Sequence, residues 1–279
     1  MTAFLKMHGL GNDFVVFDAR KQGLSLDPGA ARAIADRRTG VGCDQVIVIE
    51  SAANGADAFM RIYNADGGEV ESCGNAARCV AQLLMDETHR DTIRLETEGG
   101  PLGCIASGGL VTVDMGAPKF GWRDIPLARE TDTRAFALDV PGHDEPALRS
   151  VSAVNVGNPH CVLFVADAER APVAELGMVI ERHPLFPRRT NVEFVSMIGP
   201  DRLRMRVWER GAGITRACGT GACATIAAAR RRGLCGHAVD IVLDGGTLGM
   251  AWAGEGAPIL MTGPSTLAYR GDVDLAALS

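Results

Sequence analysis

The sequence predicts an α+β protein built from two homologous, pseudo-symmetric domains, each a curved mixed sheet or barrel around a central helix. Two observations lead to this fold class. Short motifs recur at a nearly constant distance along the chain, and each copy contains strand-length apolar runs with one strong helix. A length of 279 residues is sufficient for two domains of ordinary size.

The repeat is visible at four places that keep their order along the chain. In each, a short motif of the first half recurs 145 or 146 positions later. The pairs are Gly11-Asn12 with Gly157-Asn158, Gln45 with Asn191, Cys73-Gly74 with Cys218-Gly219, and Gly99-Gly100 with Gly245-Gly246. Because chance rarely produces four matches at one offset in the same order, we infer that the two halves are homologous.

Each half has the same predicted elements. Apolar and β-branched runs between Gly, Asn and Asp turns predict strands, among them residues 94–97, 111–113 and 203–207. One helix is predicted after each repeated cysteine, from Gly74 to about Glu87 and from Gly219 to about Arg232. Gly233 is expected to cap the end of the second helix.

Breaks in the pattern predict the domain limits. Pro118 and Gly121 interrupt the strand pattern, so residues 1–117 are expected to form an N-terminal domain and residues 118–263 a C-terminal one. The Gly263-Pro264 pair suggests that residues 264–279 return to the first domain. The active site is expected in the cleft between the domains.

Composition favours small-molecule chemistry. Apolar residues make up 47% of the chain, charged residues 22%, and the net charge is −6, which argues against a large basic face for nucleic acid or an anionic membrane. The N-terminus reaches a Gly-Asn-Asp turn before an apolar segment of signal-peptide length, so a cytoplasmic location is expected. Neither nucleic acid nor a membrane is expected as a partner.

The eight cysteines are predicted to be mostly reduced thiols. No Cys-x-x-Cys pair occurs, so no metal site is expected. Burial as small hydrophobic side chains is expected for Cys43, Cys79, Cys104, Cys161, Cys223 and Cys235. The three lysines, Lys6, Lys21 and Lys119, lie outside any glycine-rich phosphate-binding context, which argues against a pyridoxal cofactor. We therefore expect no cofactor.

Cys73 and Cys218 differ because each precedes a predicted helix at the same place in the repeat. Helix starts present unpaired N–H groups and a positive dipole end, which favour a thiolate and bind anions. Core packing gives no reason for the same thiol at the same helix start in both halves. Inverting a stereocentre requires one group on each face of a carbon, so the pair predicts a cofactor-independent epimerase with one thiolate base and one thiol acid.

Seven motifs resemble those of the diaminopimelate epimerase family along nearly the whole chain. They are Met7-His8-Gly9-Leu10-Gly11-Asn12-Asp13-Phe14, Gly42-Cys43-Asp44-Gln45, Asn64-Ala65-Asp66-Gly67, Cys73-Gly74-Asn75, Gly157-Asn158-Pro159-His160, Glu209-Arg210-Gly211-Ala212-Gly213 and Ala217-Cys218-Gly219-Thr220-Gly221. The resemblance implies an isomerase that interconverts LL- and meso-2,6-diaminopimelate in lysine and peptidoglycan biosynthesis. It leaves a homodimer open.

The resemblance also implies roles for individual residues. Cys73 and Cys218 match the catalytic cysteines, and His160 is placed to tune one of them. The reacting carboxylate is implied to bind Gly74, Asn75, Gly219 and Thr220, and the rest of the substrate is implied to contact Asn12, Gln45, Asn64, Asn158, Asn191, Glu209 and Arg210. Their chemistry agrees, since Arg210 offers a fork for a carboxylate while Glu209 and asparagine carbonyls accept from an ammonium group.

Some alternatives stay open on the residues alone. The asparagines also suit turns, Glu209-Arg210 suits a solvated ion pair, and His160 suits a packed structural role. Ile214 and Ala76 depart from the family pattern, which has glutamate and glycine there. Rival functions are a proline or hydroxyproline racemase or phenazine-type isomerase of the same fold, a bilobal amino-acid-binding protein, and a thiol redox protein.

Overall fold

The computed structural model describes residues 1–21 and 23–278. The strands are β1 Thr2–Gly9, β2 Asn12–Asp18, β3 Gln45–Glu50, β4 Ala58–Asn64, β5 Thr92–Thr97, β6 Gly100–Ser107, β7 Leu110–Asp114, β8 Val151–Asn155, β9 Pro159–Phe164, β10 Asn191–Gly199, β11 Arg202–Glu209, β12 Gly213–Ile214, β13 Ala238–Leu243, β14 Gly246–Trp252, β15 Ile259–Gly263 and β16 Thr266–Val273. The α-helices are α1 Pro28–Ala35, α2 Gly74–Thr88, α3 Val173–Glu181 and α4 Gly219–Arg231. Short 3-10 turns occupy Pro146–Ser150, Ala168–Arg170 and Leu275–Leu278.

The chain divides into two compact units. Unit 1 comprises Met1–Asp114 and Thr262–Ser279, and unit 2 comprises Met115–Met261. The strand order is β16-β1-β2-β3-β4-β5-β6-β7 in unit 1 and β8-β9-β10-β11-β13-β14-β15 in unit 2. The domain limits at residues 117 and 263 stay a prediction.

Strand pairing follows the sequence repeat residue by residue. In unit 1, β2 runs parallel to β3 with Phe14 beside Gln45, and in unit 2, β9 runs parallel to β10 with His160 beside Asn191. Later pairs keep the offset. Ala58 pairs with Leu95 in unit 1 as Leu203 pairs with Ile241 in unit 2. Leu95 pairs with Leu102 in unit 1 as Ile241 pairs with Leu248 in unit 2. The predicted α+β fold of two homologous halves is therefore confirmed.

Each unit wraps its sheet around one buried helix. Helix α2 packs against β1, β5, β6 and β7, and α4 packs against β8, β9, β10, β11 and β14. Both begin where predicted, and α4 ends at a left-handed Gly233 with φ of +70°. The N–H of Gly233 donates to the Arg230 carbonyl and that of Leu234 to Ala229, which is the Schellman arrangement. The predicted cap at Gly233 is confirmed.

Two shorter helices, α1 and α3, were not predicted from the sequence. Each connects a parallel pair of strands, β2 to β3 and β9 to β10, and such a pair needs a crossover connection. In unit 1, Ile34 of α1 packs with Val15 and Val46 in one apolar cluster. With helices on both faces, the central strands are buried on both sides and form continuous apolar runs.

Candidate active site

The first predicted catalytic cysteine lies at the start of α2. Cys73 is the N-cap residue with extended backbone, and its side chain is half-buried. Gly74 and Asn75 form the first turn and are buried. Their N–H groups make no hydrogen bond within residues 1–21 and 23–278, so the helix start presents two donors to an anion.

A chain of hydrogen bonds fixes Asn12 and Asn75 beside this helix start. The Asn75 amide donates to Asn12 Oδ1 at 3.1 Å, and the Asn12 amide donates to Asp44 Oδ2 at 3.0 Å. Asp44 is itself held by Arg37, which also bonds Asp13. Burial opposes ionisation of Asp13, but hydrogen bonds from Arg37 and Lys6 outweigh it and lower the pKa of Asp13 to about 2. An ionised cluster therefore anchors Asn12.

Gln45 and Asn64 lie opposite each other on β3 and β4. The Gln45 amide donates to Asn64 Oδ1 at 3.0 Å. The carbonyl oxygen of Gln45 is buried and has no partner among the residues that the structure describes, and the same is true of Asn75 Oδ1. These two acceptors are available to an ammonium group.

The second predicted catalytic cysteine lies at the start of α4. Cys218 is the N-cap residue and is 5% exposed. Its Sγ accepts from the Gly221 N–H at 3.3 Å and lies 3.5 Å from Thr220 Oγ1. In the described part of the chain, the N–H groups of Gly219 and Thr220 have no partner. This helix start therefore also presents two donors.

Acidic side chains crowd Cys218. Burial, followed by the nearby carboxylates Glu209 and Glu193, raises the pKa of Cys218 well above its usual value. The Glu209 carboxylate accepts from Thr215 Oγ1. Burial and the like charge of Glu193 raise the pKa of Glu209. Capping a helix favours a thiolate, but here burial and negative charge are stronger, so Cys218 is a thiol at neutral pH.

His160 is fully buried and bonded at both ring nitrogens. Its Nδ1 lies 2.6 Å from Glu193 Oε1 and its Nε2 lies 2.7 Å from Asn158 Oδ1. His160 and Glu193 are both 0% exposed, and burial raises the pKa of Glu193 against the opposing effect of His160. The histidine therefore connects a predicted substrate residue to a buried carboxyl group.

Asn191 and Arg210 are joined through the backbone. The Arg210 N–H donates to Asn191 Oδ1 at 2.9 Å, and the Asn191 amide donates to the Pro159 carbonyl at 3.1 Å. The Arg210 guanidinium is exposed and donates through one nitrogen to the Arg188 carbonyl at 3.1 Å. The Gly211 N–H donates to buried Glu181 at 3.3 Å, which holds the turn after Arg210. The guanidinium of Arg210 keeps further donors for a carboxylate.

The asparagine side chains expected to recognise an ammonium group take part in hydrogen bonds within the protein. Asparagine carbonyls were expected to accept from the substrate, yet those of Asn12, Asn64 and Asn158 already accept one bond each from protein groups. Asn191 uses both ends of its amide internally. Buried acceptors without partners in residues 1–21 and 23–278 include those of Gln45 and Asn75.

The remaining cysteines and the two departures from the family pattern lie outside this chemistry. Five of the six other cysteines are buried as expected, whereas Cys235 is only half-buried because it lies in the turn after α4. Ile214 lies on β12 opposite Trp208 and is 45% exposed. Ala76 is fully buried in the first turn of α2.

The described part of the chain has neither a metal-ligand cluster nor a membrane-spanning helix. Residues 1–21 and 23–278 contain no group of three or more His, Cys, Asp or Glu side chains arranged to hold a metal ion. Over the same residues, none of the helices combines the length and apolar character needed to span a membrane.

Comparison with known proteins identifies the family. The sequence profile described as "Diaminopimelate epimerase" matches residues 4–121 and 152–268. The chain belongs to the diaminopimelate epimerase family. It is 54% identical to the diaminopimelate epimerase of Rhodospirillum centenum, over 97% of this chain and 91% of that protein. It is 50% identical to that of Acidiphilium cryptum, over 99% of this chain and 98% of the relative.

Solved structures that resemble this one share the fold at low identity. A hydroxyproline epimerase from Agrobacterium vitis, with trans-4-hydroxy-L-proline bound, is 18% identical with a TM-score of 0.69, covering 97% of this chain and 91% of that one. A phenazine biosynthesis protein from Bacillus anthracis is 15% identical with a TM-score of 0.68, covering 98% and 99%. These likenesses establish the fold alone.

The geometry adds three residues that the sequence reading did not single out. Glu193 contacts His160, Asp44 holds Asn12, and Thr215 bonds Glu209. Glu193 carried a signal in the sequence, because a charged residue interrupts the apolar run of β10 at a position where the first repeat has Ile47. Asp44 and Thr215 lie within or beside the quoted family motifs but had no distinguishing pattern.

Proposed function

We propose that this protein interconverts LL- and meso-2,6-diaminopimelate by a two-base mechanism, without a cofactor, in lysine and peptidoglycan biosynthesis. Family membership supports the reaction, because relatives that are 50% and 54% identical over nearly the whole chain are diaminopimelate epimerases. It is an isomerase acting on a small amino acid. The proline-racemase, phenazine-type and binding-protein alternatives are not favoured, since the racemase and phenazine relatives share only the fold.

One observation carries the mechanistic part of the proposal. In both units a cysteine is the N-cap of the buried central helix, followed by two amides that make no hydrogen bond in the described residues. Two such helix starts suit one substrate carboxylate, because their amides and dipoles stabilise the negative charge that develops when the α-proton leaves.

The chemical steps follow from this arrangement. One cysteine, as thiolate, takes the proton from the α-carbon, and the C–H electron pair stays on carbon and spreads into the carboxylate. The thiol of the other cysteine gives its proton to the opposite face, which leaves that sulfur as the thiolate. The mechanism thus requires one sulfur on each face of the α-carbon, with Cys73 and Cys218 in these roles.

The electrostatics of Cys218 support a proposal for the resting roles. The raised pKa of Cys218 keeps it as a thiol at neutral pH, so we propose that Cys73 is the resting thiolate and Cys218 the first acid. When Cys218 has to act as base, the neighbouring Glu209 carboxylate offers the proton a destination. His160 tunes the same thiol from β9.

The other predicted residues orient the substrate. We propose that Arg210 binds the carboxylate of the non-reacting end and that Gln45 and Asn75 accept from ammonium groups. Asn12, Asn64, Asn158 and Asn191 line the site, and Glu209 acts both on substrate and on Cys218. Gly74, Asn75, Gly219 and Thr220 bind the reacting carboxylate through their amides.

A chirally resolved assay in deuterium oxide tests the function. LL-Diaminopimelate, L-proline and trans-4-hydroxy-L-proline are each incubated with the protein in metal-free, reducing buffer. We expect inversion only of diaminopimelate, with solvent deuterium in the product. Inversion of proline instead would mean that proline is the substrate. Binding of diaminopimelate without entry of deuterium would support the alternative of an amino-acid-binding protein.

Two finer points belong to the same proposal. We propose a cytoplasmic location, consistent with biosynthesis of a wall and lysine precursor, and a homodimer in solution. Sedimentation equilibrium over a range of protein concentrations tests the dimer, because a mass near 29.4 kDa throughout would show a monomer.

A further inference from the structure

The pair formed by His160 and Glu193 replaces two apolar residues at matching positions of the first repeat. His160 lies beside Asn191 as Phe14 lies beside Gln45, and Glu193 lies 146 positions after Ile47. Phe14 and Ile47 are both 0% exposed, as are His160 and Glu193. The fold is thus satisfied by hydrophobic side chains at these positions. Folding alone gives no reason to bury a carboxyl group there.

The position of Glu193 is set by the sheet and by α4. Glu193 and Asn191 point to the same face of β10, since residues two apart alternate together, and His160 reaches that face from β9. A Cβ on Gly221 would lie 3.0 Å from Glu193 Oε1 and 3.2 Å from Cys218 Sγ. The absence of a side chain on Gly221 therefore lets the carboxyl group approach the first turn of α4 and its cysteine.

Hydrogen-bond chemistry determines how many protons the pair holds. Asn158 Oδ1 can only accept, so His160 Nε2 must carry a proton. The Nδ1 to Oε1 contact at 2.6 Å then holds one proton, either on the histidine with Glu193 ionised or on Glu193 with the histidine neutral. In both cases the pair has no net charge. The other oxygen of Glu193 is buried without a partner among the described residues.

We propose that Glu193 is a positioning residue that acts through His160, holding its Nε2–H on Asn158 and turning the Asn158 amide donors toward the substrate. The proposal rests on the proposed function, because it assigns Asn158 to the substrate. With its carbonyl engaged by His160, Asn158 presents its NH₂ group, which binds a carboxylate and not an ammonium group.

The charged groups that face Cys218 in unit 2 are Glu209 from β11, Glu193 from β10 and, next to them, His160 from β9. Both carboxylates raise the pKa of the Cys218 thiol. Of the two members of the pair, Glu193 is the one whose carboxyl group lies against the first turn of α4 and its cysteine, so replacing it by glutamine lowers that pKa. Because Cys218 must be protonated to act as an acid, the alkaline limb of the pH profile moves to lower pH.

Two substitutions separate orientation from charge. Glu193→Gln keeps the shape, and its amide can donate to His160 Nδ1, so Asn158 stays in place. We expect the KM for LL-diaminopimelate to stay within about threefold of wild type while the alkaline limb of kcat/KM shifts to lower pH. Glu193→Ile introduces the residue that the first repeat has at the matching position, Ile47, and removes the hydrogen-bond partner of His160. Its KM should rise, with kcat/KM about tenfold to a hundredfold lower, the range for losing a hydrogen bond to a charged group.

Ser196→Ala provides the matched control. Ser196 is a buried polar residue on the same strand, 4% exposed, whose Oγ accepts from the Ala168 N–H at 3.2 Å. We expect its KM and pH profile to match wild type. If Ser196→Ala and Glu193→Ile changed KM and the pH profile alike, the effect of Glu193 would be a general disturbance of β10, and the proposal would be wrong.

Nitrogen-15 NMR of histidine-labelled protein tests the geometry without any assay. We expect His160 Nε2 to carry a proton at neutral pH in the wild type and in Glu193→Gln. In Glu193→Ile we expect the nitrogen-15 signal of a protonated Nε2 to be lost. An unprotonated Nε2 in the wild type would overturn the proposal whether or not the protein epimerises diaminopimelate. This measurement also decides the matter if Glu193→Ile does not fold.

Discussion

The two units have the same strand pairing but unequal surroundings for their cysteines. In unit 1 the positions around the helix start are Phe14, Ile47 and Asn64, and in unit 2 the matching positions are His160, Glu193 and Glu209. Cys73 is half-buried, whereas Cys218 is buried and hydrogen-bonded to its own helix. The duplication thus supplies two equivalent helix starts, and in unit 2 burial, together with the carboxylates Glu209 and Glu193, raises the pKa of the cysteine.

The largest expected effect comes from removing either sulfur. Cys73→Ala and Cys218→Ala should each lower kcat by about 10² to 10⁴, the usual contribution of a positioned acid or base. Both variants should keep the wild-type circular dichroism spectrum and melting temperature. A variant that retained more than about a hundredth of wild-type kcat would remove that cysteine from the mechanism.

A second experiment makes unit 2 resemble unit 1. The double variant His160→Phe with Glu193→Ile places in unit 2 the apolar residues that unit 1 already buries at these positions. Replacing a buried ion pair by hydrophobic residues is often neutral or stabilising, by roughly 1–4 kcal/mol. We expect urea unfolding to show a protein at least as stable as wild type, with kcat/KM lower by about 10². Lost stability would mean that the pair serves the fold.

Arg210 has no arginine counterpart in unit 1, where the matching position is Ala65. Arg210→Lys keeps the charge but loses the planar fork, so KM for diaminopimelate should rise about tenfold with a smaller change in kcat. Steady-state kinetics measure this. Arg188→Lys, at the neighbour whose backbone carbonyl accepts from Arg210, is the control and should behave as wild type. An unchanged KM in Arg210→Lys would exclude Arg210 from the site.

The difference between the two thiols is measurable by alkylation. Since burial and two carboxylates raise the pKa of Cys218, iodoacetamide should modify it slowly at neutral pH and faster only well above pH 8.5, the ordinary thiol value. Peptide mass spectrometry at several pH values gives the rate for each cysteine. In Glu193→Gln the onset for Cys218 should move to lower pH. Rapid modification of Cys218 at pH 7 would contradict the assigned resting roles.

The smallest effect concerns the ionised cluster that anchors Asn12 in unit 1. The pKa of Asp13 is lowered in the folded state to about 2, so its stabilisation is present above the unfolded pKa near 4 and is lost as pH falls from about 4 to 2. Asp13→Asn should cost on the order of 1 kcal/mol at pH 7 and nothing near pH 2. Urea unfolding at both pH values measures it, and an equal loss at both would exclude an electrostatic origin.

The sequence predicted the features that repeat and missed those that do not. The offset of 145 or 146 positions predicted both helix starts and both cysteines, because matching residues of two homologous halves occupy the same place in the fold of each half. Helices α1 and α3 were missed, since helices of only 8 and 9 residues give a short pattern and are required mainly by the parallel pairing of their strands. Glu193 was missed because its partner, His160, lies 33 positions away and only the register of β9 and β10 brings them together.

The pairing of β16 with β1 has a consequence for synthesis on the ribosome. β1 begins at Thr2 and its partner ends at Val273, so the sheet of unit 1 lacks this pairing until the last part of the chain has emerged. Unit 2, whose residues are continuous from Met115 to Met261, has all its strands available earlier. Domains usually fold in the order of translation. Here the order is expected to be reversed, with the second unit complete while the nascent first unit still exposes the edge of β1.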